Sequence, residues 1–235
     1  MEDRKPNEFP VSVDGWISSG WHTFRKYTRQ LMRGVAIMVA FSLLVILVGY
    51  LPGGNVIGIF LQLTVGMVLT LGWFNFCLRL VREEDVSPIE IFRPFNSFLK
   101  AWFPAAVIAS IVFVGSVLFI LPGLYATIRL GMGMFLIVDK DTDLADTLKG
   151  SWRITAGHEG KLIVYYLLMM GLFGLIILPS LTGMQVIGVV GSIIFNFFIT
   201  PLLGVTYASA YDSLLFLSEP QPEDLPDESS GEDGE

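Results

Sequence analysis

Charged residues are scarce in this chain, and cysteine is almost absent. Only 16% of its 235 residues are Asp, Glu, Lys or Arg, against about 25% in an ordinary soluble domain. The single cysteine, Cys77, excludes an internal disulfide and any metal site built on several thiolates. Because 53% of the residues are hydrophobic, a soluble fold of this length could not bury so much apolar surface. The composition therefore predicts an integral membrane protein.

Long hydrophobic runs are abundant instead. Runs of about 17 or more apolar residues can cross a bilayer as helices. Six runs of about this length follow one another closely, at residues 35–51, 56–78, 101–121, 123–138, 162–178 and 184–211. The sequence thus predicts an all-α membrane domain, residues 34–216, with six transmembrane helices.

The short turns between paired runs contain no basic residue. Of the 15 Lys and Arg residues, 14 lie in residues 1–33, 79–100 and 139–161, and the exception is Arg129. Basic segments stay on the cytoplasmic side of a membrane. We therefore expect a multi-pass protein of a bacterial inner membrane, with both termini in the cytoplasm.

The six runs pair into three predicted hairpins, each closed by a turn centred on proline: Leu51-Pro52-Gly53, Leu121-Pro122-Gly123 and Leu178-Pro179-Ser180. Proline and glycine end helices and permit tight reversals. A segment of mixed character precedes each hairpin. From Asp14, Asp85 and Asp143 to the next turn proline the distances are 38, 37 and 36 residues. This spacing predicts a threefold repeat of a cytoplasmic interfacial amphipathic helix plus a hairpin.

The first of these segments, residues 1–33, is predicted to hold an amphipathic helix. Between residues 13 and 32 the aromatic and aliphatic side chains share one helical face, and the basic side chains lie elsewhere. Such a helix places aromatic rings among lipid headgroups and cations near lipid phosphates. The sequence therefore predicts membrane lipids as partners, contacted by Trp16, Trp21, Arg25, Lys26 and Arg29.

The other two segments carry helix start signals. Ser87 and Pro88 supply an N-cap and a first-turn proline for the second. The third is predicted to begin at Thr142 or Asp143 and to stop near Gly157.

Acidic residues are absent from the interior of every predicted span. Ion-driven transporters usually carry an intramembrane carboxylate, so a coupled pump is disfavoured. Eight of the 22 acids lie in the C-terminal tail, residues 217–235, which has no base. This tail is rich in proline, serine and glycine, and we expect it to be disordered and to bind no nucleic acid.

Arg129 is the one cation inside a predicted span. It lies seven residues from Pro122, about 10 Å at 1.5 Å per residue, with no acid at the same depth. A structural interpretation pairs its guanidinium with the helix-ending carbonyls of residues 118–121, or with Gln62 at similar depth. The alternative makes Arg129 and Gln62 a candidate lipid- or anion-binding site, because charged groups within membranes are often functional.

Catalytic motifs are missing from the sequence. It contains neither a G-x-S-x-G nucleophile elbow nor a Walker loop. Asp139, Asp141 and Asp143 begin like a calcium loop, but Leu144 and Gly150 occupy positions that require Gly and Glu. The sequence therefore predicts no enzymatic activity, no catalytic residue, no metal and no cofactor.

Residues 85–215 resemble a group of uncharacterised bacterial membrane proteins related to the membrane region fused to some glycerophosphoryl diester phosphodiesterases. The shared pattern is a Pro-Gly turn, an arginine in the next span, a Ser-Trp helix ending in Gly, and a last span with Pro and then Tyr-Asp. It is carried by Pro122, Gly123, Arg129, Ser151, Gly157, Pro201, Tyr211 and Asp212. The resemblance implies a six-span fold of unassigned role. The phosphodiesterase domain is absent and Leu214 replaces the family's closing basic residue, so the activity is not implied.

Two functions follow from these observations. The first is a non-enzymatic membrane protein that binds or organises lipid, or scaffolds a protein partner that the sequence does not identify. The second is a channel or facilitator for a small solute. A channel requires a continuous polar path through Gln62, Arg129, Asn196, Thr200 and Asn75. The sequence predicts no particular oligomeric state.

Overall fold

The computed structural model describes residues 11–181, 191 and 195–218. Every regular element in these residues is helical, so the predicted all-α class is confirmed. The elements are α1 Val13–Gly49, α2 Gly54–Leu61, a π-turn Gln62–Gly66, α3 Met67–Val81, a 3₁₀ helix Pro88–Ser97, α4 Phe98–Leu118, α5 Ile120–Leu130, α6 Gly133–Asp139, α7 Leu144–Thr155, α8 Glu159–Leu181, a second π-turn Phe195–Ile199 and α9 Thr200–Ser218.

Among the residues that the structure describes, three helical stretches are long and apolar enough to cross a membrane. They are Val13–Gly49, Gly54–Val81 and Pro88–Leu118, with mean hydropathies of 2.5, 1.9 and 2.1 over their most apolar windows. The membrane character predicted from composition is confirmed at this level. The count of six spans, the threefold repeat and the cytoplasmic termini stay predictions.

Helix α1 joins two elements that the sequence predicted as separate. It begins after Ser12, whose hydroxyl accepts a hydrogen bond from the amide of Gly15 at 3.1 Å. It bends at Tyr27, where φ and ψ are −112° and 23°, and continues to Gly49. The boundary predicted after residue 33 therefore falls inside one helix.

The first predicted turn is confirmed. The chain reverses between α1 and α2 with Gly53 at a φ of +73°, a conformation that glycine adopts without strain. Gly54 then allows the two helices to touch, because a Cβ there would lie 1.8 Å from the carbonyl oxygen of Val48.

The positions predicted for the other two turns are wrong. Pro122 and Gly123 lie in the first turn of α5, and the chain reverses three residues before Pro122, at the extended residue Phe119. A proline is tolerated there because the first helical amides have no intrahelical acceptor. Helix α8 likewise continues through Pro179 to Leu181.

Local start and stop signals between the spans are confirmed. Ser87 occupies the N-cap of the 3₁₀ helix, with Pro88 in its first turn. Asp143 is the N-cap residue of α7, and Gly157, at a φ of +77°, lies two residues beyond its end. These signals act within a few residues, so a single sequence suffices to find them.

The core lies where α1, α3, α6, α8 and α9 meet. A group of aromatic rings fills it, with ring centroids 4.9–6.1 Å apart: Phe74, Phe135, Tyr165, Tyr166, Tyr207 and Tyr211. Small residues let the helices approach, as at Gly204, where a Cβ would lie 2.8 Å from Nε1 of Trp73. The centre of the described helices is therefore packed with side chains.

Candidate functional site

Arg129 is buried in the last turn of α5, with 8% of its surface exposed. One terminal nitrogen of its guanidinium, Nη2, lies 2.6 Å from Oε1 of Glu159 at the start of α8. The other, Nη1, donates to the hydroxyl of Thr155 at 3.2 Å, and Nε donates to the hydroxyl of Tyr125 at 3.0 Å. Each of its three nitrogens thus has a partner within the chain.

Aromatic rings cover the planar guanidinium. Its central carbon lies 4.6 Å from the ring centre of Trp152 and 5.4 Å from that of Tyr125, within the range of a cation–π contact. The hydroxyl of Ser151 donates to the backbone carbonyl of Arg129 at 2.5 Å. These contacts tie α5, α7 and α8 together and neutralise the cation, which favours the structural interpretation of Arg129.

The partners predicted for Arg129 are wrong. The sequence suggested the carbonyls of residues 118–121 or Gln62, and no acid at that depth. Helix α7 runs antiparallel beside α6 and α5, with Gly150 against Leu136 and Ser151 against Arg129. Its 12 residues, about 18 Å at 1.5 Å per residue, carry Thr155 back to Arg129. Glu159 also lies beside Arg129, because the chain turns immediately after α7 and α8 begins there.

The environment of Glu159 favours its charged form. Hydrogen bonds from the backbone amides of Glu159 and Gly157, together with the charge of Arg129, outweigh partial burial and lower the pKa of this carboxyl. Glu159 is therefore ionised at neutral pH, as an ion pair with Arg129 requires.

Gln62 does not join Arg129. It lies in the π-turn after α2 and lines an open cleft of about 450 Å³ between α1 and α2. The cleft is lined by Val45, Ile46, Gly49, Tyr50, Asn55, Gly58, Ile59 and Gln62. None of the groups hydrogen-bonded to Arg129 belongs to this hairpin, so the two residues do not form one site.

A second buried ionic cluster joins the ends of α3 and α6 to the C-terminal half of α9. Nη2 of Arg82, the residue after α3, lies 3.0 Å from Oδ2 of Asp139, and its Nε lies 2.8 Å from Oδ1 of Asp212 in α9. The hydroxyl of Tyr211 donates to Asp139 at 2.9 Å. Burial opposes the positive charge of Arg82, but the two carboxylates outweigh it and raise its pKa.

This second cluster could not be read from the sequence. Tyr211 and Asp212 were marked by the family resemblance, but nothing linked them to Arg82 or Asp139. The one sequence feature that these residues share is their position, because Arg82, Asp139 and Asp212 each lie just after an apolar run. The cluster fastens α3, α6 and α9 at a common end of the bundle.

The first half of α1 has two different faces. The face that contains Ser19, Gly20, Thr23 and Phe24 is buried. The opposite face is exposed and carries Arg25, Arg29 and Arg33, four residues apart on successive turns. We call these three arginines the basic face.

Two of the predicted lipid contacts are not free for that role. Trp16 is wrong, because only 1% of its surface is exposed and its indole donates to the hydroxyl of Ser213 at 2.8 Å. The aromatic pattern marked an apolar face but could not show that α9 covers it. Lys26 is exposed but lies 2.6 Å from the carboxylate of Glu83. Trp21 is half exposed, beside the basic face.

The basic face is unpaired within the described chain. None of its three arginines lies within 4 Å of a described carboxylate, whereas Lys26, Arg79, Arg82, Lys100 and Arg129 each form an ion pair. Beyond Arg33 the same exposed face becomes apolar, with Ala36, Ala40, Leu43 and Leu47 in succession. A single exposed helix face thus carries basic side chains in its first part and apolar side chains in its second part.

The polar path needed for a channel is not continuous among the described residues. Gln62 and Asn196 are exposed on the surface, Asn75 is buried in α3, and Arg129 is enclosed by α5, α7 and α8. In the part of the chain that the structure describes, no three His, Cys, Asp or Glu side chains lie close enough together to hold a metal ion.

Comparison with known proteins adds no relative. No protein-family model, no curated protein and no solved structure matches this chain. The resemblance to the membrane region of glycerophosphoryl diester phosphodiesterases therefore stays a prediction, and the function is argued from the site alone.

Proposed function

We propose that this chain is a non-enzymatic integral membrane protein that binds anionic phospholipid headgroups through the basic face of α1. In this proposal six helices span the membrane, and the basic face lies at the cytoplasmic surface. The bound lipid is held beside the protein by a helix that is itself fixed to the bundle.

The observation that carries the proposal is the change along one face of α1. Arg25, Arg29 and Arg33 are exposed and unpaired within the described chain, and apolar residues follow them on the same face. An exposed face of this kind matches the boundary between lipid headgroups and acyl chains. Trp21, half exposed beside the first arginine, suits the same depth because indole favours the membrane interface.

The rigidity of α1 supports a binding role. Its opposite face is packed against α9, where Ser19 and Ser209 share a hydrogen bond of 3.1 Å and Trp16 is fixed to Ser213. A cationic face held on a packed helix loses little conformational freedom when headgroups bind. Each arginine near an anionic membrane surface contributes about 1 kcal/mol, so three give selectivity on the order of 100-fold over zwitterionic lipid.

Lipid retention tests this proposal. The protein in mild detergent is mixed with phosphatidylglycerol or phosphatidylcholine, and bound lipids are counted by native mass spectrometry. A variant with Arg25, Arg29 and Arg33 all changed to Gln should lose its preference for phosphatidylglycerol. The matched variant with Lys at the same positions keeps the charge and should keep most of the preference. Equal retention of phosphatidylglycerol by the Gln variant and the wild type would contradict the proposal.

A further inference from the structure

The described chain ends close to the start of α1. Helix α9 runs antiparallel to the first half of α1, with Ser209 opposite Ser19 and Ser213 opposite Trp16. It ends at Ser218. Residues 219–235, which we call the acidic segment, therefore leave the bundle beside the N-terminal end of the helix that carries the basic face.

The acidic segment is long enough to reach the basic face. From Trp16 to Arg33 is about 25 Å along α1, at 1.5 Å per residue. Seventeen residues span about 55 Å when fully extended, and their root-mean-square reach as a random chain is about 21–25 Å. The basic face thus lies within the average reach of this segment.

Charge makes the acidic segment a fitting occupant of the basic face. It carries eight acids and no base, and the basic face has three exposed arginines without a described carboxylate partner. Each exposed ion pair is weak, but attachment to α9 gives the segment a high effective concentration at the face. The contact should also be sensitive to salt, since the screening of exposed charges increases with ionic strength.

We propose that the acidic segment docks on the basic face of α1 and competes there with anionic phospholipid. This inference rests on the lipid-binding function proposed above. It adds a competing segment of the same chain that regulates lipid binding. Lipid and segment present the same chemistry to the arginines, so the two cannot occupy the face together. A membrane rich in anionic lipid displaces the segment, and a neutral membrane leaves it docked.

Proximity of the segment to α1 can be measured directly. Bimane is attached to Ser229→Cys, while Cys77, which is fully buried, stays unlabelled. Bimane is quenched on contact with tryptophan, and half-exposed Trp21 lies one turn before Arg25. In neutral detergent at low salt the fluorescence should be quenched. It should recover in Trp21→Phe, in the triple Gln variant of the basic face, in 1 M NaCl and on addition of phosphatidylglycerol.

The control variants make this readout specific. Trp152 is also half exposed, and Trp152→Phe should leave the quenching unchanged if the segment docks on α1. Phosphatidylcholine should not restore the fluorescence. Quenching that is absent at low salt, or that persists equally in Trp21→Phe and the triple Gln variant, would overturn the docking proposal.

Truncation separates this inference from the proposed function. If the segment occupies the face in most molecules, removing it after Ser218 should raise the affinity for phosphatidylglycerol roughly 3- to 10-fold. Unchanged affinity after truncation would refute competition while leaving lipid binding intact. If the truncated protein and its triple Gln variant retain phosphatidylglycerol equally, the proposed function fails, and the bimane signal still reports whether the segment docks.

Discussion

The guanidinium of Arg129 and the carboxylate of Glu159 lie 2.6 Å apart and join the end of α5 to the start of α8. Arg129 is one-tenth exposed and Glu159 about one-third exposed at their side chains. Removing one member of an enclosed pair leaves the other without its counter-charge. The pair accounts for a cation in an otherwise apolar helix without requiring a ligand.

Arg129→Gln should destabilise the protein by roughly 2–4 kcal/mol, because it removes the ion pair and the contacts with Tyr125, Thr155 and Trp152. Glu159→Gln should cost less, since Glu159 is partly exposed. Thermal unfolding in detergent, followed by tryptophan fluorescence, measures both. In a double-mutant cycle the two changes should couple by about 0.5–3 kcal/mol.

The charge-conserving change Arg129→Lys serves as the control for this cycle. It keeps the cation but loses the planar fork, so it should remain less stable than the wild type even without lipid. Additive effects of the two Gln changes would show that the pair contributes nothing. If phosphatidylglycerol stabilised the wild type but not Arg129→Gln, the anion-site interpretation of Arg129 would replace the structural one.

The stability contributed by Glu159 should depend on pH. Its folded-state pKa is lowered, whereas an unfolded glutamate titrates near about 4.3. Its contribution is therefore complete above that value and is lost as pH falls through the lower folded-state pKa. The gap in melting temperature between wild type and Glu159→Gln should be constant from pH 8 to 6 and close in more acidic buffer. A gap that widened on acidification would contradict the assignment.

Substitution of Arg82 should destabilise the protein more than substitution of an exposed cation. Arg82→Gln leaves Asp139 and Asp212 buried near each other without the guanidinium that separates them. We expect a loss of about 3–5 kcal/mol, measured by thermal or denaturant unfolding. Arg93→Gln is the control, because Arg93 is exposed and such changes stay within about 0.5 kcal/mol. Equal effects of the two changes would show that the cluster is not stabilising.

The contact between α1 and α9 depends on a glycine. A Cβ at Gly20 would lie 2.2 Å from Oγ1 and 2.8 Å from Cα of Thr206. Gly20→Ala should therefore separate the helices and cost about 1–3 kcal/mol. Gly171→Ala, in α8 with open space around it, should instead stabilise by up to about 1 kcal/mol through helix propensity. Melting temperatures that shift in the same direction for both would contradict this packing.

Features fixed by neighbouring residues were the ones predicted correctly. The caps at Ser87 and Asp143, the stop at Gly157 and the turn at Gly53 depend on backbone conformation and on hydrogen bonds within one turn of helix. The hydrophobic runs predicted the all-α membrane class for the same reason, since length and polarity alone decide whether a helix can span a bilayer.

Features fixed by distant contacts were missed. An apolar helix face has the same sequence pattern whether lipid or protein covers it. The pattern therefore predicts a lipid contact for Trp16, which α9 in fact buries. The sequence pattern predicts no acid beside Arg129, because it does not show that α7 folds back along α6 and brings Glu159 to the guanidinium. The Pro122-Gly123 pair predicts a turn, although a proline is equally compatible with the first turn of the next helix, where Pro122 lies.

The depth of α1 in the membrane tests the central claim most directly. Nitroxide labels are placed one at a time at six exposed positions of one face: Ser18, His22, Ala36, Ala40, Leu43 and Leu47. In lipid nanodiscs, collisions with oxygen report acyl chains and collisions with a water-soluble nickel complex report solvent. We predict nickel access at Ser18 and His22, oxygen access at Ala40, Leu43 and Leu47, and a crossover beside Arg33. Uniform nickel access along α1, or a crossover far from the basic face, would contradict the account.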